Sequence, residues 1–364
     1  MDSKKTKLAI GFITYEDSTA KYLPYFLLSL AKAVAGTQGT KFPARLAEAN
    51  GEAQVGNLVP GDVKILALDN SQKEENENRK YIKKHYSEIS LEWVGENLGF
   101  ARGYNRLIKK AVSLGAEYFL MLNPDMILEP NSISKLVKAM DSDKSLGSAG
   151  PKILRWDFAK NKKTQTIDSC GIILKPGLRF INLGEGQEDN DQLNEAKILG
   201  PAGTAAIFRI KALQSASLSR KERSGGGLGW GPFDEHFFMY KEDCDLAYRL
   251  FLSGWRSGLA SQAVMYHDRT GAGAGESGLK IVLNRRKKSK QVKIWSFYGQ
   301  HILFIKYWHL QSFKNKLNII FYALKMFVFV LLFEQYLLKQ YWGLLKTRKA
   351  IAPQINKSFH KSTN

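Results

Sequence analysis

Apolar residues along the first third of the chain fall into short blocks whose period alternates. Lys7 to Tyr15 (KLAIGFITY) is a β-branched run that reads as a buried strand. From Ala20 to Val34 the period becomes helical, with Leu23, Leu27, Leu30 and Val34 on one face. The spacing predicts further strands at 63–68, 91–94 and 118–122, and helices at 74–86 and 105–114. Strands alternating with helices predict an α/β layer around a mostly parallel sheet. Polar residues gather just past the C-terminal ends of those strands, where open α/β sheets bind ligands.

The middle is less regular. Gly36 to Asp62 reads as an inserted loop, and strands are expected at 150–155, 168–174 and 205–210. Ser219 to Gly231 and Gly271 to Gly275 are glycine-rich and read as flexible loops. Between them, Glu242 to Gly254 reads as a helix opened by acids and stopped by glycine. Near the end, Leu317 to Phe333 is an apolar run of 17 residues interrupted by Lys325. A crossing helix needs about 20 apolar residues, so this segment is expected to lie in a membrane interface. A buried C-terminal helix or an oligomer interface is the alternative.

Composition narrows the class. The 364 residues are 44% hydrophobic and 24% charged, proportions of a globular chain rather than of a disordered, collagenous or coiled-coil one. Cys170 and Cys244 are the only cysteines, too few for a disulfide scaffold or a zinc ribbon, and in keeping with a reducing compartment. No secretory signal is read in Met1 to Lys7. The net charge is +20, and its placement is uneven: from Lys280 onward there are 17 Lys and Arg against one acid, Glu334. A basic tail suits either nucleic acid or an anionic membrane face.

Four groups of residues could carry chemistry. In Asn97-Leu-Gly-Phe-Ala-Arg-Gly-Tyr-Asn105 the glycines let backbone approach a ligand ahead of a helix N-terminus that favours anions. A plain structural turn is the alternative. Asn123-Pro124-Asp125 closes the most apolar strand, where a carboxylate needs a partner, and Mg²⁺ or Mn²⁺ holding a diphosphate is one. The pairs Asp234-Glu235 and Glu242-Asp243 flank an aromatic run and offer a general base, with Trp230 a candidate to stack on a sugar. His267 gains meaning only if it converges with Asp125.

In this order these pieces resemble the inverting family 2 glycosyltransferases of the GT-A fold, most closely the rhamnosyltransferase-like branch. The matching segments run from Thr14-Tyr15 through Asp69-Asn70-Ser71, the 97–105 motif, Leu122 to Asp125, Gly200 to Phe208 and Phe233 to Leu246, to His267. The resemblance implies a Rossmann-like GT-A catalytic domain over 1–277 and a basic, helical, membrane-associating tail over 278–364. It implies that Thr14, Tyr15, Asp69, Asn97, Gly99, Phe100, Gly103, Asn105 and Asn123 bind a nucleotide-sugar. By the same resemblance Asp125 and His267 hold Mg²⁺ or Mn²⁺, Asp243 is the general base with Glu242 as its fallback, and basic residues near Lys280 to Lys288 offset charge on the departing nucleoside diphosphate. Trp230, Asp234 and Glu235 are expected at the acceptor. The expected reaction moves a sugar, rhamnose from dTDP-rhamnose or else a sugar from a UDP donor, onto a lipid-linked saccharide in cell-surface polysaccharide assembly. The expected location is the cytoplasmic face of the plasma membrane, peripherally bound to its anionic surface, with self-association open. A nucleic-acid partner would explain the tail but not the acids at the strand ends, and none is expected.

Overall fold

The computed structural model describes residues 6–35, 62–217, 231–269 and 289–351. The strands in chain order are β1 (Leu8–Thr14), β2 (Val63–Asp69), β3 (Ser90–Trp93), β4 (Tyr118–Leu122), β5 (Met126–Leu128), β6 (Leu146–Asp157), β7 (Lys162–Ser169), β8 (Ile172–Lys175), β9 (Arg179–Asn182), β10 (Ala205–Arg209) and β11 (Arg256–Asp268). One sheet runs β3-β2-β1-β4-β10-β6-β11-β5 with β7 beside β6, while β8 and β9 form a separate hairpin. β1 to β4 are mutually parallel, and β6 and β11 share their direction; β5, β7 and β10 oppose it. The sheet is therefore mostly parallel, as the alternation predicts.

The helices are α1 (Glu16–Ala20), α2 (Leu23–Ala35), α3 (Glu77–His85), α4 (Gly99–Ser113), α5 (Ser132–Ser142), α6 (Ile210–Ser215), α7 (Glu242–Leu252), α8 (Lys290–Tyr307), α9 (Phe313–Phe333) and α10 (Leu338–Ile351). Successive side chains of a strand point to opposite faces, and β1 illustrates the result. Leu8, Ile10 and Phe12 join the core with Phe26 and Leu30 of α2 and Leu136 of α5. Ala9 faces the other core, built with Tyr104 and Ile108 of α4 and Leu246 of α7.

A third cluster joins the hairpin, α7 and the tail helices. Ile172, Leu178 and Phe180 of the hairpin region pack with Phe237 and Tyr248, and with Phe297 and Tyr307 of α8 and Ile319 and Val330 of α9, so α8 completes the core beneath α7.

Three element boundaries also differ from expectation. α4 begins at Gly99 rather than 105, because the Asn97 side chain accepts the Gly99 N–H at 2.9 Å and starts the helix early. The strand expected over 168–174 is divided between β7 and β8 at Gly171, whose φ of 101° ends the extended run. The tail helix reaches back to Phe313, giving 21 residues with mean hydropathy 1.9 in its most apolar window, only 11% of which is buried. It is long and apolar enough to cross a membrane, so the expected shortfall in length does not hold. The loop over 36–61, the 218–230 segment with Trp230, the 271–275 glycines and the basic run at 280–288 lie outside the described residues.

Candidate active site

The loops after β1 and β2 are fastened to each other around Asp69. Its carboxylate is fully buried: Oδ1 accepts from Thr14 Oγ1 (3.1 Å) and from Ser71 N and Oγ (3.2 and 2.6 Å), and Oδ2 accepts from Asn76 Nδ2 (2.7 Å). Both oxygens thus shape the loop that follows β2. Tyr15 is exposed beside them. Glu16, in the left-handed region at φ 43°, donates its N–H to Ser71 Oγ and accepts from Gln72 N and Asn78 Nδ2. That clamp was not read from the sequence.

The 97–105 motif forms the neighbouring wall. Gly99 sits at φ 69°, and a Cβ there would come within 2.6 Å of the Phe238 carbonyl, so the position needs glycine for both conformation and space. Phe100 donates its N–H to that carbonyl at 2.8 Å, which ties the start of α4 to the aromatic run 236–240. Gly103 packs under Ile13 of β1. Asn105 is buried, exchanges hydrogen bonds with the Phe233 backbone at 2.9 Å in both directions, and donates to Glu235 Oε1 at 3.2 Å. Its place is structural: it holds the 233–235 turn against α4. Tyr104 OH donates to the Leu122 carbonyl at 2.8 Å, at the end of β4 and next to Asn123.

Asp125 and His267 do converge. β11 runs beside β5, and His267 pairs in register with Met126. His267 Nε2 lies 3.2 Å from Asp125 Oδ2, while Nδ1 lies 2.8 Å from Asp168 Oδ2, and Arg269 donates to Asp168 Oδ1 at 2.9 Å. Burial works against charge on His267, but Asp125 and Asp168 outweigh it and push the imidazole up to about 10. Asp125 Oδ1 is buried with no hydrogen-bond partner among the described residues. A carboxylate behind a histidine that turns its other nitrogen toward a second carboxylate is the arrangement that orients histidine ligands of metals. Among the described residues there is no cluster of three or more potential metal ligands. Asp125 is a hard oxygen ligand of the kind Mg²⁺ takes, with phosphate oxygens and water completing the shell, and His267 would join it only in its neutral form, which a bound cation favours.

Across the cleft, α7 begins with Glu242 and Asp243. Tyr240 and Lys241 just before it are both left-handed, at φ 72° and 76°. Consecutive strained residues of this kind cluster at functional sites. Asp243 is half-buried; its Oδ2 accepts from Gly203 N at 3.0 Å and its Oδ1 from Cys244 N at 2.7 Å, which fixes its orientation. Glu242 turns inward. Burial, and then the charge of Asp243, push its carboxyl well above the ordinary range, and Oε2 has no partner among the described residues. Glu242 and Asp125 both act electrostatically on Tyr104 and on Tyr240, so the two carboxylates lie near the same pair of tyrosines.

Asp234 is not at an open acceptor face. Its carboxylate is buried against Lys306 Nζ at 2.5 Å and His236 Nδ1 at 2.7 Å, and Lys306 also reaches Asp245 at 2.6 Å. Tyr307 OH donates to the same Asp245 at 2.7 Å. The expectation that Asp234 meets the acceptor is corrected by this burial: it anchors α8 to α7. Sequence reading also missed Asp168, Arg269, Lys306 and Tyr307, which come from far along the chain; the Lys-Tyr pair at 306–307 was the one available signal.

Residues 60–215 match the family model for glycosyl transferase family 2. The chain is 27% identical over 201 residues to the N-acetylglucosaminyl-diphospho-decaprenol L-rhamnosyltransferase of Mycobacterium tuberculosis, in strains CDC 1551 / Oshkosh and ATCC 25618 / H37Rv alike. That alignment covers 50% of this chain, and the chain spans about 60% of the length of these curated relatives. Among solved structures, S. aureus TarS matches with 15% identity and a TM-score of 0.43, over 82% of this chain and 39% of that one. S. aureus TarS 1-349 in complex with UDP matches with 14% identity and a TM-score of 0.41, over 84% and 73%.

Proposed function

We propose that the chain, whose residues 60–215 match the family model for glycosyl transferase family 2, moves a sugar, with inversion, from a nucleotide-sugar to a hydroxyl of a lipid-linked saccharide. The observation that carries the proposal is the meeting of Asp125 and His267, with Glu242 at the start of α7 acting on the same tyrosine, Tyr240, as Asp125. dTDP-rhamnose is the donor we favour. The printed name of the Mycobacterium tuberculosis relative, an L-rhamnosyltransferase acting on an N-acetylglucosaminyl-diphospho-decaprenol, supports that choice and a lipid-linked acceptor.

In this reading the base and sugar-phosphate lie along the loops after β1, β2 and β4, between Thr14, Tyr15, Asn97, Gly99 and Asn123. Asp69 acts there by holding the β2 loop in shape. Asp125 and His267 are the residues that would hold Mg²⁺ or Mn²⁺, and the ion when bound neutralises charge on the departing nucleoside diphosphate. Asp243 takes the acceptor's proton: it is the accessible carboxylate of the pair, and Gly203 N aims it. Burial pushes the Glu242 carboxyl well above the ordinary range and turns it away from this role, which falls to Asp243. The acceptor oxygen attacks the anomeric carbon in line as the nucleoside diphosphate leaves, and a single displacement inverts the anomeric configuration.

The tail supports work at a membrane surface. One face of α9 packs on the third core, while Leu317, Ile320, Leu324, Phe327 and Leu331 form an exposed apolar stripe at helical spacing. Lys314, Lys316 and Lys339 flank it, as expected of a helix seated on an anionic bilayer. We place the protein peripherally on the cytoplasmic face of the plasma membrane.

The test is a transfer assay with a prenyl-diphosphate-linked saccharide and either dTDP-rhamnose or UDP-sugars, with the product's anomeric configuration read by NMR. Rhamnose transfer with inversion is expected. Transfer from a UDP-sugar alone would change the donor; retention, or no transfer from any donor, would contradict the proposal.

A further inference from the structure

A groove of about 280 Å³ opens between the aromatic run 236–240 and α8, with Gln340 of α10 at its edge. We infer that this groove is a saccharide subsite that takes one pyranose ring of the acceptor, an inference that rests on the glycosyl-transfer reading of the adjoining cleft.

Position comes first. The groove adjoins the start of α4: Phe238 lines it, and its carbonyl receives the Phe100 N–H of the 97–105 motif. Tyr240 also lines the groove, is exposed, and lies two residues before Glu242. The groove exists because α8 comes very close: a Cβ on Gly299 would lie 2.7 Å from the Tyr240 carbonyl.

The lining then selects the ligand. Phe238 and Trp295 pack with ring centroids 4.9 Å apart at 31°, forming one aromatic wall. Tyr298 and Tyr240 add further rings, and Gln340 supplies an amide that can exchange hydrogen bonds with hydroxyls. A sugar ring needs both kinds of surface, an aromatic face for its C–H side and polar partners for its hydroxyls. The volume lies just under the roughly 300–1,000 Å³ typical of small-molecule pockets, which admits one ring and excludes a long prenyl chain. No Lys or Arg lines the groove among the described residues, so it is not where a diphosphate would rest.

The experiment uses the full chain and two kinds of probe. Methyl glycosides of N-acetylglucosamine, glucose and rhamnose are titrated by ligand-observed NMR, and dTDP and UDP with Mn²⁺ are titrated in parallel. At least one glycoside should bind saturably; Trp295→Ala should weaken it by about tenfold, the scale of one lost aromatic contact. Trp295→Phe should retain binding, and nucleotide affinity should be the same in both variants. Glycoside binding unaffected by Trp295→Ala, or nucleotide binding with no glycoside binding, would overturn the subsite and leave the proposed function standing. Loss of both kinds of binding in the wild-type chain would overturn the two together.

Discussion

Asp243 and Glu242 are neighbours in sequence, yet the fold gives their carboxylates opposite surroundings. Asp243 is half-buried and oriented by the Gly203 and Cys244 N–H groups, whereas Glu242 is turned into the protein, where burial pushes its carboxyl well above the ordinary range. Asp243→Asn should therefore fold and bind nucleotide normally but lose transfer by roughly 10²- to 10⁴-fold, the usual contribution of a general base; steady-state kinetics with turnover near wild type would remove it from that role. The pairing of Asp125 with His267 was expected from the resemblance to family 2 glycosyltransferases, and the two side chains do meet. Asp168 was not expected: it lies 99 positions from the histidine it orients, and no local spacing connects them. Asp168→Ala should leave both proposed ligands in place and weaken metal-dependent nucleotide binding by about 10- to 100-fold, as loss of an orienting carboxylate does. Calorimetry that finds unchanged affinity would assign Asp168 to packing alone.

At the scale of elements, α8 is the helix whose role the sequence concealed. Its composition matches the basic tail, but Lys306 and Tyr307 turn inward and bond Asp234 and Asp245 beneath the site. Removing one partner of a buried ion pair strands the other, so Lys306→Met should lower stability by about 3–5 kcal/mol, read from denaturant unfolding. A change below about 1 kcal/mol would show that the network is dispensable. Acid should expose the same network. Burial works against charge on Asp234, but Lys306 and His236 outweigh it and hold the carboxyl far below its ordinary range. Its stabilisation is therefore complete above the unfolded value of about 4 and declines as pH falls below it. Asp234→Asn should melt lower than wild type at neutral pH and show a shallower decline in acid; parallel melting curves would contradict this. α4 was legible as a helix but not in its start, because Asn97 and Gly99 read as loop residues until the cap they form is seen.

Across the whole molecule, the parallel core was readable from apolar blocks of alternating period, and the sheet follows them closely. Hydrophobic pattern alone, however, does not reveal that Phe297, Tyr307 and Ile319 complete a core begun by Ile172 and Phe180. What remains outside that core is the apolar stripe of α9. Leu324→Glu with Leu331→Glu places charge on exposed positions without touching the packed face, and should abolish co-flotation with anionic vesicles while leaving nucleotide binding intact. Flotation equal to wild type would locate the membrane contact elsewhere. The measurement to make first is calorimetric titration of the full chain with dTDP and UDP, with and without Mn²⁺, beside the Asp125→Ala variant. Metal-dependent nucleotide binding that is lost in Asp125→Ala is the expected result. Absence of nucleotide binding, or binding indifferent to both metal and Asp125, would contradict the site as described.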